Sequence, residues 1–248
     1  MKTKKTHTTK QARTGGRRSG RGGDVPLALR SRAGELLHVS LPVVSSTLRA
    51  TIARLRLADE LPATLGVVSA MRGEGVTYIS RSLALVLAND SGADVCVVDL
   101  NWRTPAAWGE TIDTRPGLAD VVRGTASLDD VIVPTAERAL SIVPAGRATL
   151  DEVPVFAAGS TLASVLADLG RRFDHLVLDV PALHAAPEAL TLAAHADAVA
   201  VVVRQGVTAE SQVASALDEL DGVPVLGVVL NDYSTKVPKF IMQRVPTP

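Results

Sequence analysis

The apolar run Leu65-Gly66-Val67-Val68 leads into a tight glycine turn, Gly73-Glu74-Gly75, and leaves it on a helical pattern that begins at Thr77. A strand that passes so quickly into a helix leaves the first-turn N–H groups of that helix without backbone partners, and such a loop can wrap phosphate oxygens. The nucleotide-handling form of the loop adds a lysine after the last glycine and a Ser/Thr hydroxyl for Mg²⁺. Here Thr77 supplies the hydroxyl, and Val76 stands in the lysine position.

The rest of the chain alternates strand and helix patterns around this turn. Leu48, Ile52, Leu55 and Leu57 give a mostly helical spacing over 45–59, and Ile79, Leu83, Val86 and Leu87 give a second one over 77–88. Continuous apolar runs at 95–100, 140–143, 175–180, 198–203 and 225–230 read as strands buried on both faces. Helical patterns at 118–123, 128–131, 161–171, 187–195 and 208–220 separate them. The order predicts an α/β fold: a doubly wound, mainly parallel sheet flanked by helices, in a single domain. Ligands of such sheets bind beyond the carboxyl ends of the strands.

Charge is unevenly spread. Lys2, Lys4, Lys5, Lys10, Arg13, Arg17, Arg18 and Arg21 all precede the first acid, Asp24, so a formal net charge of zero hides a basic arm on an acidic remainder. A segment so rich in charge, Gly, Ser and Thr cannot bury enough apolar surface to order itself. The expected organisation is a basic disordered arm over 1–40, the main domain over 41–235 and a loosely ordered end over 236–248. Anionic membrane and nucleic acid are the two polyanions that attract such an arm. No apolar run reaches the roughly 18 residues of a membrane helix, and the charged start lacks an apolar segment behind it, so the cytoplasm, with a peripheral position at the inner membrane face, is the expected location. Aromatic residues make up 3% of the chain, so the core must be Val, Leu and Ala. The lone Cys96 sits within a strand pattern, where a buried, unreactive thiol is expected.

Asp99, Asp179, Thr77 and Asn231 fall at or just beyond carboxyl ends of strands, on the rim that carries the glycine turn. With these residues in place the chain resembles the P-loop ATPases of the ParA/MinD superfamily, and most closely the bacterial tyrosine kinases of capsular and exopolysaccharide biosynthesis. The likeness runs from about 45 to 232. The family's Ser-x-x-x-Gly-Glu-Gly-Lys-Ser/Thr loop is matched by 69–77, and its Asp-x-Asp-x-Arg-x-Pro strand by Asp99, Asn101, Arg103 and Pro105. Its Pro-Gly-Leu-x-Asp-Val-Leu-x-Gly segment is matched by 116–124, and its Pro-x-Gly strand end by 144–146. The Walker B strand is matched by 173–182 and the Gly-x-Val-x-Asn strand by 227–231. The resemblance implies a nucleotide site of Arg72, Gly73, Glu74, Gly75, Val76, Thr77, Tyr78 and Asn231, with Asp99 and Asp179 as catalytic carboxylates. It implies ATP or ADP as ligand, with Mg²⁺ on Thr77, Asp99 and Asp179. A membrane polysaccharide co-polymerase and a homo-oligomer are the implied partners.

Three departures bear on function. Val76 removes the cation that offsets phosphate charge, Asn101 replaces the second carboxylate of the Asp-x-Asp motif, and Tyr78 replaces a small hydroxyl residue. The family's tyrosine-rich tail is reduced to Tyr233, and its Glu-x-x-Arg-x-x-Arg helix is echoed only in part by Ser46, Arg49 and Ile52. The leading reading is a catalytically weakened, kinase-like regulatory or assembly partner in polysaccharide biosynthesis and export. An active ATPase or tyrosine kinase that uses Arg72 or a partner's cation is the alternative, and a ParA-type DNA partition or positioning ATPase the second. Trp102 and Trp108, just past Asp99, read either as loop packing or as a lid. His175, His184 and His195 lack metal-ligand spacing and read as structural.

Overall fold

The computed structural model describes residues 26–232. The chain opens with a hairpin, β1 (Leu27–Arg30) and β2 (Leu36–Ser40), followed by α1 (Pro42–Leu57), β3 (Thr64–Ser69), α2 (Val76–Ser91) and β4 (Val95–Asp99). Three short helices, α3 (Glu110–Asp113), α4 (Leu118–Arg123) and α5 (Leu128–Val131), lead to β5 (Val133–Pro134) and β6 (Leu140–Val143). Then come α6 (Glu152–Ala158), α7 (Ser160–Arg172), β7 (His175–Asp179), α8 (Ala189–Ala193), β8 (Ala198–Arg204), α9 (Glu210–Glu219) and β9 (Val225–Asn231).

Seven strands form one sheet in the order β5-β6-β4-β7-β3-β8-β9, parallel except for the short β5. From β3 the chain winds outward to β4 and β6, returns to insert β7 between β3 and β4, and then crosses to β8 and β9 on the far side. The carboxyl ends of β3, β7 and β4 therefore meet where the winding reverses. That crevice is where ligands of open α/β sheets bind. The doubly wound architecture is the one the sequence predicts.

Alternate residues on each strand feed two cores. Val68, Cys96, Val98, Leu176 and Leu178 face the layer of α4 to α9, while Val67, Val95, Val97 and Val177 face α1, α2 and the hairpin. Helix α2 is buried from Ile79 through Ala88, as befits a helix that is apolar nearly all round and packed beneath a sheet. Cys96 is fully buried and burial pushes its thiol pKa far upward, in keeping with an inert strand residue.

The sequence assigns 27–40 to the arm, and here the structure differs. β1 and β2 pair antiparallel, Leu29 is fully buried, and Leu37 joins the α2-side core. Four- and five-residue strands are too short to give a period that can be read, and tertiary burial makes them. The eight cations ahead of Asp24, Tyr233 and the 236–248 end lie outside the described residues. One close backbone approach fixes the loop ends. Gly117 packs against the Gly146 backbone so tightly that a Cβ on Gly117 would lie 2.3 Å from the Gly146 nitrogen, and this contact places the α4 N-terminus beside the end of β6. Gly117→Ala should therefore lower the stability of the domain by about 2 kcal/mol, the usual cost of overpacking, in a urea titration followed by circular dichroism. A loss under about 0.5 kcal/mol would show that the two loops move apart freely.

Candidate functional site

Gly73 (φ +80°) and Gly75 (φ +100°) take left-handed conformations that only glycine adopts readily, and they turn the chain from β3 into α2. The turn is braced from within. Ser69 donates to the Met71 carbonyl at 2.8 Å, and Glu74, buried beneath the loop, accepts from the Met71 N–H at 2.8 Å and from the Thr208 hydroxyl. From β9 the Asn231 amide donates to the Glu74 carbonyl at 2.8 Å, and its nitrogen lies only 2.1 Å from where a Gly75 Cβ would stand. No side chain caps the N-terminus of α2, so its first N–H groups face the cleft above the loop. That cleft, about 530 Å³, is lined by Arg72, Gly73, Gly75, Val76, Thr77, Tyr78 and Asp179.

Of the residues singled out from sequence, these seven come together. Glu74 and Asn231 do not line the cleft; they act on it by holding the loop. Asp99 lies beneath it, fully buried. Its Oδ1 accepts the Asn101 N–H at 2.9 Å and its Oδ2 the Ala106 N–H at 3.0 Å, so both oxygens are occupied in shaping the next loop. Asn101 reaches the cleft and also accepts from the N–H and hydroxyl of Thr104. Arg103 from the same motif forms a two-pronged ion pair with the buried Glu188, at 2.6 and 3.0 Å, and anchors that loop.

Asp99 and Asp179 are register partners on β4 and β7. Burial, and for Asp99 also the charge of its neighbour, pushes both carboxyls up, Asp99 to about 8 and Asp179 to about 6. For Asp179 the Thr77 hydroxyl opposes the shift by hydrogen bonding, while Oδ2 has no partner among the described residues.

Two cleft residues escape a reading of the sequence. His38 comes from the unanticipated hairpin; burial and the charge of Arg81 lower its pKa to about 4, and the ring hydrogen-bonds Ser82 at 2.8 Å and meets Tyr78 edge-on at 5.0 Å. Arg81 lies one turn beyond Thr77 on α2, is 7% exposed, and donates to the Leu37 carbonyl at 3.2 Å and the Ala107 carbonyl at 2.8 Å. Its guanidinium lies 3.6 Å above the Trp108 ring. An arginine inside an apolar helix reads as a breach in the pattern, and that breach was its only signal. Arg72, the cation that sequence puts forward, is exposed at the rim. Trp108 is buried beneath Arg81, and Trp102 donates to the Ala145 carbonyl at 2.9 Å inside the core, so neither tryptophan forms a lid. Every lysine of the sequence lies outside 26–232.

Comparison with known proteins agrees with this geometry. Tyrosine-protein kinase CpsD of Streptococcus agalactiae is 26% identical over 177 residues, covering 70% of this chain and 76% of the relative. Tyrosine-protein kinase ptk of Acinetobacter johnsonii is 27% identical over 161 residues, and the succinoglycan biosynthesis transport protein ExoP of Rhizobium meliloti 30% identical over 180. Among solved structures, the VpsO kinase domain matches with a TM-score of 0.70 at 27% identity, over 77% of this chain and 95% of that one. This chain is a relative of the bacterial tyrosine kinases, with the P-loop fold of the ParA/MinD superfamily. The septum site-determining protein MinD of Pyrococcus horikoshii, in complex with Mg-ADP, superposes with a TM-score of 0.57 at 25% identity, over 75% of this chain and 79% of that one. The alignments cover 64% of this chain against 22% of ptk, and 71% against 23% of ExoP. No protein-family model matches the chain.

A divalent ion is implied by the fold, and the donor set can be tested against it. Both oxygens of Asp99 accept backbone N–H groups, the Thr77 hydroxyl hydrogen-bonds Asp179 and keeps acceptor lone pairs, and Oδ2 of Asp179 has no partner among the described residues. Among the described residues no group of three or more His, Cys, Asp or Glu side chains is arranged to hold a metal. These residues form no cage that holds a metal by side chains alone; the Thr77 hydroxyl and Oδ2 of Asp179 fit a divalent ion that would arrive with nucleotide phosphates and keep most of its waters.

The carboxylate pair makes stability depend on pH in a defined direction. The folded state holds protons on Asp99 and Asp179 that the unfolded chain has released above about pH 4, so unfolding free energy falls as pH rises from about 4 to 8. Asp179→Asn should flatten this slope and raise the melting temperature above that of the wild type at pH 8, with little difference at pH 4. Calorimetry from pH 4 to 8 would contradict the pairing if both proteins lost stability in parallel.

Proposed function

We propose that this chain is a catalytically weakened, kinase-like P-loop protein that binds nucleotide phosphates weakly and serves as a regulatory or assembly partner in capsular or exopolysaccharide biosynthesis and export. The observation that carries the reading is Val76 at the first turn of α2: a loop shaped for phosphate, with uncapped N–H groups and Thr77, has an aliphatic side chain where its relatives' loop motif places a lysine. Phosphoryl transfer depends almost wholly on positioning and on charge placed against the transferring group, so this loss falls on turnover more than on binding. Asn101 in place of a carboxylate acts in the same direction. Arg72, exposed at the rim, has no side-chain partner among the described residues that would fix it against a transferring phosphoryl group. The polysaccharide setting is supported by the likeness to ExoP, named for succinoglycan biosynthesis transport, and the regulatory role by the conjunction of a kept loop with a lost cation. In this reading a membrane co-polymerase is the partner and the chain works at the cytoplasmic face of the membrane. Among the described residues no single helix is long and apolar enough to cross one.

Purified protein should hydrolyse ATP at background rates, below about 1 s⁻¹, the low end of ordinary enzymes. Val76→Lys alone should restore little while Asn101 remains. A coupled phosphate-release assay that gave ordinary turnover for the wild type would defeat the weakened-enzyme reading, and loss of that turnover in Arg72→Ala would assign it to the rim arginine. Nucleotide binding should register in the emission of Trp108, whose ring lies 3.6 Å from the guanidinium of Arg81, a residue that lines the cleft.

Each basic residue close to an anionic bilayer contributes about 1 kcal/mol, so several cations ahead of Asp24 acting together would recruit the acidic body. Removing 1–23 should abolish binding to vesicles of anionic lipid at low salt and leave the melting temperature unchanged. Tight binding of the full chain to duplex DNA near physiological salt, without binding to vesicles, would shift the reading to a ParA-type partition protein.

A further inference from the structure

Beside Asp232, the last described residue, lies an open apolar groove of about 720 Å³ between the start of α1 and the end of β9. Val43, Val44, Leu48, Ile79, Val229 and Leu230 are among the residues that line it. Its lips are open, with Val43 68% and Leu230 47% exposed. The apolar run at 225–230 reads from sequence as a strand buried on both faces, yet no residue of β9 is buried, and its outer edge has no partner among the described residues. Contiguous apolar surface left open marks an interaction site, and a free strand edge adds unpaired backbone groups to it. The groove adjoins the phosphate cleft at Tyr78, which lines both and accepts the Leu41 N–H at 3.0 Å.

The way the chain leaves β9 selects the occupant. Asp232 lines the groove and takes a left-handed conformation (φ +54°), which is uncommon for a residue with a side chain and turns the backbone. Arg204 Nε donates to its carboxylate at 2.7 Å, and the Gln205 N–H donates to the Asn231 carbonyl at 3.0 Å, so the exit is pinned. Residues 233–248 follow, with Phe240-Ile241-Met242 near their centre and Val237 and Val245 on either side. The α1 wall from Val43 to Leu48 runs about 8 Å at 1.5 Å per residue, and an extended chain advances about 3.3 Å per residue, so this apolar triplet reaches every part of the groove. Tethering presents it there at a roughly millimolar effective concentration. The opposite end of the chain offers no rival, since Met1 and Ala12 are the only apolar residues of 1–24.

We propose that the groove between α1 and β9 is the docking site of the chain's own segment 233–248, with Phe240, Ile241 and Met242 as its anchors. Successive residues of an extended segment point to opposite sides, so three apolar residues in a row suit a strand edge that is open on both faces, as β9 is. Pro238, which an inner strand would exclude, is tolerated on an outer one. The docked segment is a neighbour of the phosphate loop through Tyr78, and its docking does not depend on nucleotide binding.

The experiment is cross-linking within the full-length protein. Cys96, the only cysteine, is fully buried with its thiol pKa pushed far up, so it stays silent toward a maleimide. Val43→Cys, at the open lip of the groove, is combined with Lys239→Cys in one variant and with Gln243→Cys in another, which leaves the three anchors intact, and each is treated with a short bismaleimide. At least one pair should give an internal cross-link, identified by mass spectrometry of the digest, and adding Phe240→Ser with Ile241→Ser should lower its yield about tenfold, as loss of two buried apolar side chains requires. Leu57→Cys in place of Val43→Cys, at the far end of α1 and 90% exposed, should give none. No internal link from either pair, or equal yield from position 57, overturns the proposal. A link between two molecules also overturns it, because a second copy then fills the groove. Hydrogen exchange gives an independent readout: Phe240→Ser with Ile241→Ser should speed exchange at 41–48 and 225–231 about tenfold or more. Unchanged exchange there overturns the proposal, and slowing of that exchange by ADP would give the groove to the nucleotide instead. If the double-serine variant fails to fold, cross-linking with the anchors intact decides alone.

Discussion

Two carboxylates held against each other at the centre of a buried parallel sheet set the terms for everything around them. Asp99 and Asp179 are paired by strand register, and neither can leave without breaking the β4–β7 ladder. Buried like charges raise each other's proton affinity and cost stability unless the surroundings answer them. The protein answers in two ways. Backbone N–H groups of 101 and 106 satisfy Asp99 and fold the next loop around it, and the charge of Arg81 lowers the proton affinity of both carboxyls. Loop shape, helix placement and the seating of the hairpin on α2 all meet at these contacts, because the same guanidinium that faces the carboxylates holds the Leu37 and Ala107 carbonyls.

The sheet was legible because its strands are buried on both faces, so that Val95–Asp99, His175–Asp179 and Ala198–Arg204 appear as unbroken apolar runs that no surface element would carry. Strand order was not legible from any run. It follows from crossover handedness and from which carboxyl ends share a crevice, properties of the assembled chain. Helix α6 escaped notice because its seven residues include Pro154, and the hairpin because short strands with one inward residue in two give almost no periodic signal. Pro42 at the first turn of α1 starts that helix three residues before its apolar spacing begins, in the position where proline's missing N–H costs nothing.

Within the site, legibility divided along the same line. Residues whose function is written in the backbone, such as Gly73 and Gly75, could be read directly, since a conformation closed to other residues leaves glycine as its mark. Glu74 and Asn231 have side chains that any turn or strand end could carry, and only the folded contacts show that they brace the loop from below. Arg81 and His38 belong to the cleft through packing alone. One is a charged interruption in an apolar helix, the other lies in a hairpin with no motif.

The choice of arginine at position 81 follows from where the charge must sit. An ammonium buried to this depth, without a direct carboxylate partner, would tend to release its proton and lose the charge that the carboxylate pair requires. A guanidinium keeps its charge through burial, spreads it over a plane that can lie on Trp108, and offers donors in two directions at once. The same reasoning accounts for why such a cation cannot simply take over from a loop lysine. A lysine at the loop's end is a mobile point charge that follows a phosphoryl group as it moves, whereas Arg81 is fixed by two carbonyls and a ring.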